Sequence, residues 1–204
     1  MLVKFANGNQ HFKAHLKTIR HENLKKGKLG TNEWLHPDIV GVYFPFEEMD
    51  KNAIDLQKTL SLSSTKLFSF EMKINLNLSN IRKYYFQAVS NSSWAHEGYL
   101  VAIDIDRETE FRDELRILSN AFGIGIIELN PENIEQSEIL FPARTNSSLD
   151  WETINRIISA NHDFKEFLQR VTRDVNSAEI IKEKYDSVLN DQQYEKYISE
   201  KKIV

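Results

Sequence analysis

Between Lys66 and Leu129 the chain alternates extended and helical sequence, and that succession has few folded solutions. Lys66 to Ile74 alternates with period two, so Leu67, Ser69, Glu71 and Lys73 point one way and Phe68, Phe70, Met72 and Ile74 the other. Ser79 is a favourable N-cap for a helix running to about Trp94, with Ile81, Tyr84, Tyr85 and Ala88 as its apolar stripe. Lys83, Gln87 and Asn91 form a separate polar stripe on the same helix. Gly98 to Ile105 reads as an apolar strand, Arg107 to Ala121 as a helix with Phe111, Leu115 and Leu118 inward, and Phe122 to Leu129 as another strand. Strands separated by helices pair in parallel through crossovers. The expectation is an α/β protein with a mixed central β-sheet flanked by helices.

Upstream, His11 to Leu24 reads as an amphipathic helix, with Phe12, Leu16 and Ile19 on one side and lysines on the other. His36 to Phe46 is rich in Ile, Val, Tyr and Phe, broken by Gly41 and stopped by Pro45, which predicts a strand or hairpin arm. Glu47 to Leu60 can hold a short helix, followed by a turn at Ser61 to Thr65. An edge strand is expected at Glu138 to Pro142. Asp150 would cap helical sequence reaching Arg173, with more helix from Ser177 onward. This divides the chain into a core of residues 1–145 and a helical C-terminal extension of residues 146–204, packed on the core or at a dimer interface.

With 204 residues and 41% hydrophobic content, the chain can bury a core without covalent staples. Cysteine is absent, which excludes a disulfide framework, a thiolate zinc site and a cysteine nucleophile. No window approaches the ~18 apolar residues of a membrane span, and the start lacks the pattern of an export signal. A cytoplasmic protein without membrane contact is expected. The net charge of -4 hides an asymmetry: residues 1–36 sum to +5 and the remainder to -9. Local density of Lys and Arg, rather than the total, governs contact with phosphates. The basic segment is compatible with DNA binding and equally with a solvated helix.

Charged and polar residues fall inside these apolar elements: Pro37-Asp38 in one, Glu71-Met72-Lys73 in another, and Gln87 on the following helix. An ionised side chain in a core is costly unless paired or functional. Phosphodiester hydrolysis must offset transition-state charge, acidify a water and shield a leaving alkoxide, and a magnesium ion held by carboxylates serves all three needs. Magnesium takes oxygen ligands at about 2.0–2.1 Å and keeps several waters, so two carboxylates and a main-chain carbonyl suffice. Asp38 and Glu71, on adjacent strands, would supply the carboxylates and Met72 the carbonyl. Lys73, on the face of Glu71, would stabilise developing charge, and Gln87 would orient the site through its amide. A buried Glu71 with Asp38 or Lys73 in an ion pair is the purely structural alternative.

This constellation resembles the PD-(D/E)XK superfamily of restriction-endonuclease-like nucleases. Leu35 to Gly41, Phe70 to Lys73, and the run from Phe86 to Leu100 look more specifically like the nuclease-like region of HrgA-type bacterial proteins. Those proteins are associated with restriction and phage-defence loci and often carry an N-terminal winged helix. The resemblance covers roughly residues 10–130. It implies a restriction-endonuclease-like core, Asp38 and Glu71 as metal ligands, Lys73 as the water-activating residue and Gln87 as the supporting group. It further implies Mg²⁺, with Mn²⁺ substituting, DNA as substrate, and a homodimer or a defence-system partner. The spacing from Asp38 to Glu71 requires Glu47 to Leu60 to pack outside the sheet. A catalytically idle DNA- or protein-binding module, or a nuclease for RNA or branched DNA, are the alternatives.

Further polar residues offer contacts of their own. Ser90, Asn91 and Ser92 could touch a DNA backbone through hydroxyl and amide groups, or simply order a helix C-terminus. Lys83 and Arg82 could face phosphates. His11 and His15 have the spacing of helix-face metal ligands but no third partner in sequence. His36 and His96 flank the motifs, where ordinary hydrogen bonding accounts for them. Gly123 and Gly125 fall in a strand rather than at a strand-to-helix turn, so they form no phosphate-binding loop.

Overall fold

A computed structural model describes residues 1–20, 36–60 and 63–201. Its six strands are β1 (His15–Thr18), β2 (Ile39–Tyr43), β3 (Lys66–Leu76), β4 (Glu97–Ile105), β5 (Gly125–Glu128) and β6 (Glu138–Phe141), ordered in that sequence across one sheet. Pairing is antiparallel from β1 to β3, parallel through β3, β4 and β5, and antiparallel again at β6. The helices are α1 (Leu2–Gly8), α2 (Lys51–Thr59), α3 (Ile81–Ser90), α4 (Thr109–Phe122), α5 (Trp151–Ala160), α6 (His162–Ser177) and α7 (Asp191–Lys201). Helices α3 and α4 are the crossovers between parallel neighbours. The architecture is α/β with a mixed sheet between helical layers.

Alternation along the strands divides the core between the two faces. Phe68, Phe70, Tyr99 and Val101 pack with Phe5, Phe12, Leu16 and Tyr194 on the side of α1. On the opposite side, Leu100 and Ala102 meet Ile81, Tyr85, Phe111 and Leu115 of α3 and α4. Val40, Val42 and Leu67 continue that face under Ile154, Ile157, Phe164 and Phe167 of α5 and α6. The helices after residue 146 therefore share a core with the sheet. Among its described side chains helix α2 buries Ile54 alone, and it touches the turn at Pro45–Glu47, so it sits outside the sheet. Among the described residues no helix is long and apolar enough to cross a membrane.

Several boundaries differ from the sequence reading. The expected helix at His11 to Leu24 is replaced, over its described residues, by a turn and β1. Phe12, Ala14 and Leu16 all enter the core on one face while Ile19 enters the other, so the governing period is two. Residues 21–24 of that expectation lie outside the described residues, as do Ser61 and Leu62 of the expected turn. Helix α3 starts after Asn80 rather than Ser79, because Ser79 Oγ is engaged with Asn77 Oδ1 at 2.6 Å. It ends at Ser90 rather than Trp94. Gly123, at φ 81°, caps α4 in the left-handed region, which delays β5 to Gly125.

What matters for the site is strand length. β2 pairs with β3 only from Lys66 to Phe70, whereas β4 accompanies β3 as far as Leu76. From Glu71 onward one edge of β3 runs past the start of β2, and Asp38 stands at that step.

Candidate metal centre

The antiparallel register that pairs Ile39 with Phe70 places Asp38 across from Glu71, and opposed residues share a face. The next opposed pair would be Pro37 and Met72. Proline has no N–H, so it cannot complete the ladder. Instead Asp38 Oδ2 accepts the Met72 N–H at 2.8 Å, and the Asp38 carbonyl accepts from Ile19 N at 2.9 Å. In an extended strand the N–H and C=O of one residue point to the same edge. The Met72 carbonyl therefore faces the Asp38 side, and Pro37 opposite it has no donor to offer. The Pro-Asp dipeptide thus opens the ladder and fills the gap with a carboxylate.

Glu71 is 1% exposed. Its Oε1 accepts from the Lys73 ammonium at 2.5 Å and its Oε2 from Asn91 Nδ2 at 3.0 Å. The same ammonium lies 4.0 Å from Asp38 Oδ2 and 5.1 Å from the centre of the Tyr84 ring. One cation thus stands between two carboxylates, with an aromatic face beside it. Gln87 lies between Tyr84 and Asn91 on the same side of α3, three and four residues from each, and is partly buried. The fold brings Asp38, Glu71, Lys73 and the Met72 edge together, with Gln87 on the helix that covers them.

Burial and the neighbouring negative charge of Asp38 push the Glu71 carboxyl above its ordinary 4.5, against the opposing pull of Lys73 and Asn91. A carboxyl raised in the folded state binds protons more readily than in the unfolded chain. Its contribution to stability is present at low pH and is lost as pH climbs from about 4.5 through the raised value. Denaturant melts at a series of pH values, with metal absent, should show wild type losing stability relative to Glu71→Gln as pH rises through that window. A pH-independent difference would contradict the assignment.

Two oxygen-only side chains and a carbonyl edge suit a hard divalent cation, and a cation there would relieve the repulsion that raises Glu71. Among the described residues, the three-residue grouping of ligand atoms is elsewhere, at His162, Asp163 and Glu166 on the exposed start of α6. Exposure and mutual proximity alone do not make it a centre.

The flanking residues sort by burial. Lys83 and Ser90 are exposed, while Asn91 and Ser92 are buried, which corrects their expected role as DNA contacts. Ser92 packs so closely on β4 that a Cβ at Gly98 would lie 2.4 Å from its own. Trp94 is fully buried, meets Phe164 edge-on, and donates to the Asn91 carbonyl at 2.8 Å. Arg82 is engaged with Glu114 at 3.0 Å. His11 and His15 sit off any helix and address different acids, Glu97 at 2.7 Å and Glu47 at 2.9 Å, so they share no ion. His96 Nδ1 accepts from Leu67 N at 2.9 Å, away from the site.

Sequence reasoning missed the contacts of Tyr84 and Asn91, although their helical spacing with Gln87 was a usable signal. It also missed Glu97, which is buried and accepts from His11, Tyr99, Thr145 and Lys66. Burial would raise that carboxyl, but the hydrogen bonds from His11 and Tyr99 hold it below its ordinary range.

No known family pattern matches this chain, and no curated protein or solved structure does either.

Proposed function

We propose that this chain is a divalent-cation-dependent DNA endonuclease with a restriction-endonuclease-like core, acting on foreign DNA in bacterial restriction or phage defence. One observation carries the reading: Asp38, the buried Glu71 and Lys73 converge where β3 outruns β2. Asp38, Glu71 and the Met72 carbonyl would hold Mg²⁺, or Mn²⁺ in its place. A bound divalent ion supplies Lewis acidity and charge at the phosphate. Lys73 contributes a second positive charge on the same face, and Gln87 an amide to orient the phosphate. Exposed Lys83 and Ser90 lie on the helix that covers the site and are available to a DNA backbone. A double-strand break needs two such sites, which a homodimer provides.

The test is cleavage of varied DNA by purified protein with Mg²⁺ or Mn²⁺, including branched DNA and RNA arms. Cleavage that depends on the metal and disappears in Asp38→Ala supports the reading. Metal-dependent cleavage that Asp38→Ala retains in full refutes it.

A second reading, a catalytically idle DNA- or protein-binding module of the same fold, is favoured by one feature: Lys73 already neutralises Glu71, which is sealed from solvent. Calorimetric titration with Mg²⁺ separates the two. Absence of binding that requires Asp38 and Glu71 selects the idle module.

A further inference from the structure

We infer that Asn91 is a positioning residue for Glu71: it fixes one carboxylate oxygen so that the other stays directed at the space shared with Asp38 and Lys73. The inference rests on the metal-centre reading above and deepens it. Three observations converge. The Asn91 side chain is 1% exposed, and its Nδ2 donates to Glu71 Oε2 at 3.0 Å. Its backbone does separate work, with the carbonyl accepting from Ser69 Oγ and Trp94 Nε1, both at 2.8 Å, and the N–H donating to the Gln87 carbonyl at 3.0 Å. Finally, Asn91 Oδ1 is buried without a hydrogen-bond partner among the described residues.

A buried acceptor without a donor costs stability. The fold keeps that cost although an apolar side chain of the same size would remove it and leave every backbone contact in place, at the expense only of the partner of Glu71 Oε2. The side chain is therefore best accounted for by what its amide N–H does, and that is to hold Glu71. Oε1 is left facing Lys73 at 2.5 Å, on the side of Asp38. A carboxylate gripped at one oxygen cannot rotate away, so a cation binding at the other meets a preset ligand. Partners of this kind, which orient a ligand without touching the ion, change metal affinity by about 10- to 100-fold when removed.

The proposal predicts a split between stability and binding. Asn91→Leu keeps the volume, removes the orphaned acceptor and removes the donor. It exchanges one unsatisfied buried atom, Asn91 Oδ1, for another, Glu71 Oε2, so it should melt close to the wild-type temperature while binding Mn²⁺ about 10- to 100-fold more weakly by calorimetry. Asn91→Ala, measured alongside, should show the same loss of affinity should leucine fail to fold. Wild-type affinity in both variants overturns the role of Asn91 alone, because wild type still binds in an Asp38-dependent way. Loss of affinity that tracks loss of stability in both variants marks a structural residue and also overturns it. No Asp38-dependent Mn²⁺ binding in wild type removes the metal centre itself, and this inference with it.

Discussion

For the nuclease proposed here, Lys73→Met should lower metal-dependent cleavage by about 10²- to 10³-fold, the usual cost of deleting one preset charge at a developing anion, while leaving divalent-cation affinity unchanged or higher. The opposite directions follow from position. The ammonium lies 2.5 Å from Glu71 and 4.0 Å from Asp38, within the space a cation bridging those carboxylates would use. A divalent ion held there would have to displace it, and the Tyr84 ring, 5.1 Å from the nitrogen, offers an adjacent resting face. Methionine preserves the stem and removes the competitor, leaving two carboxylates whose mutual repulsion favours any incoming cation. Cleavage assays together with Mn²⁺ titration decide it. If affinity fell in step with activity, Lys73 would be a structural partner of Glu71 rather than a participant in phosphate chemistry.

The largest effect on stability is expected at Glu97. Glu97→Ala should cost about 1–3 kcal/mol, the penalty for losing a buried charged acceptor and leaving a buried donor unsatisfied. For a chain of this size that corresponds to a fall in Tm on the order of 5 °C. The carboxylate is 1% exposed and gathers donors from four places in the chain: His11, Lys66, Tyr99 and Thr145. Removing it leaves the buried Tyr99 hydroxyl without its acceptor, while His11, Lys66 and Thr145 are open enough to turn to water. Glu97 pairs with Phe68, on the sheet face opposite Glu71, so the proposed metal binding should be the same in the folded fraction as in wild type. Equilibrium denaturation and Mn²⁺ titration of the same preparation check both statements. A shift within a degree or two of wild type would show that the network carries little of the fold.

These two acids illustrate how unevenly the site could be read beforehand. Glu71 advertised itself through a short motif in an apolar strand, and period-two alternation correctly paired its face with Lys73. Glu97 had the same chemistry and more partners, but those partners are 2 to 86 residues away, and no local spacing encodes them. Asn91 was legible as a polar residue on the stripe of Gln87, yet only packing revealed that it faces Glu71 rather than solvent. The helix expected near His11 failed for a related reason. Phe12, Leu16 and Ile19 satisfy a helical period when taken alone, but Ala14 also enters the core and Ile19 enters a different one.

The sequence by itself determined the α/β class, the crossover succession from Lys66 to Leu129, and the shared face of Glu71 and Lys73, because each depends on periodicity within one element. Tertiary structure alone decided that β3 outruns β2, so that Asp38 meets Met72 and faces Glu71, and that α3 ends where Asn91 can reach the same carboxylate. Those contacts depend on register and on where one element stops against another. Such quantities are set by the combined packing of residues far apart in the chain, and no local pattern carries them.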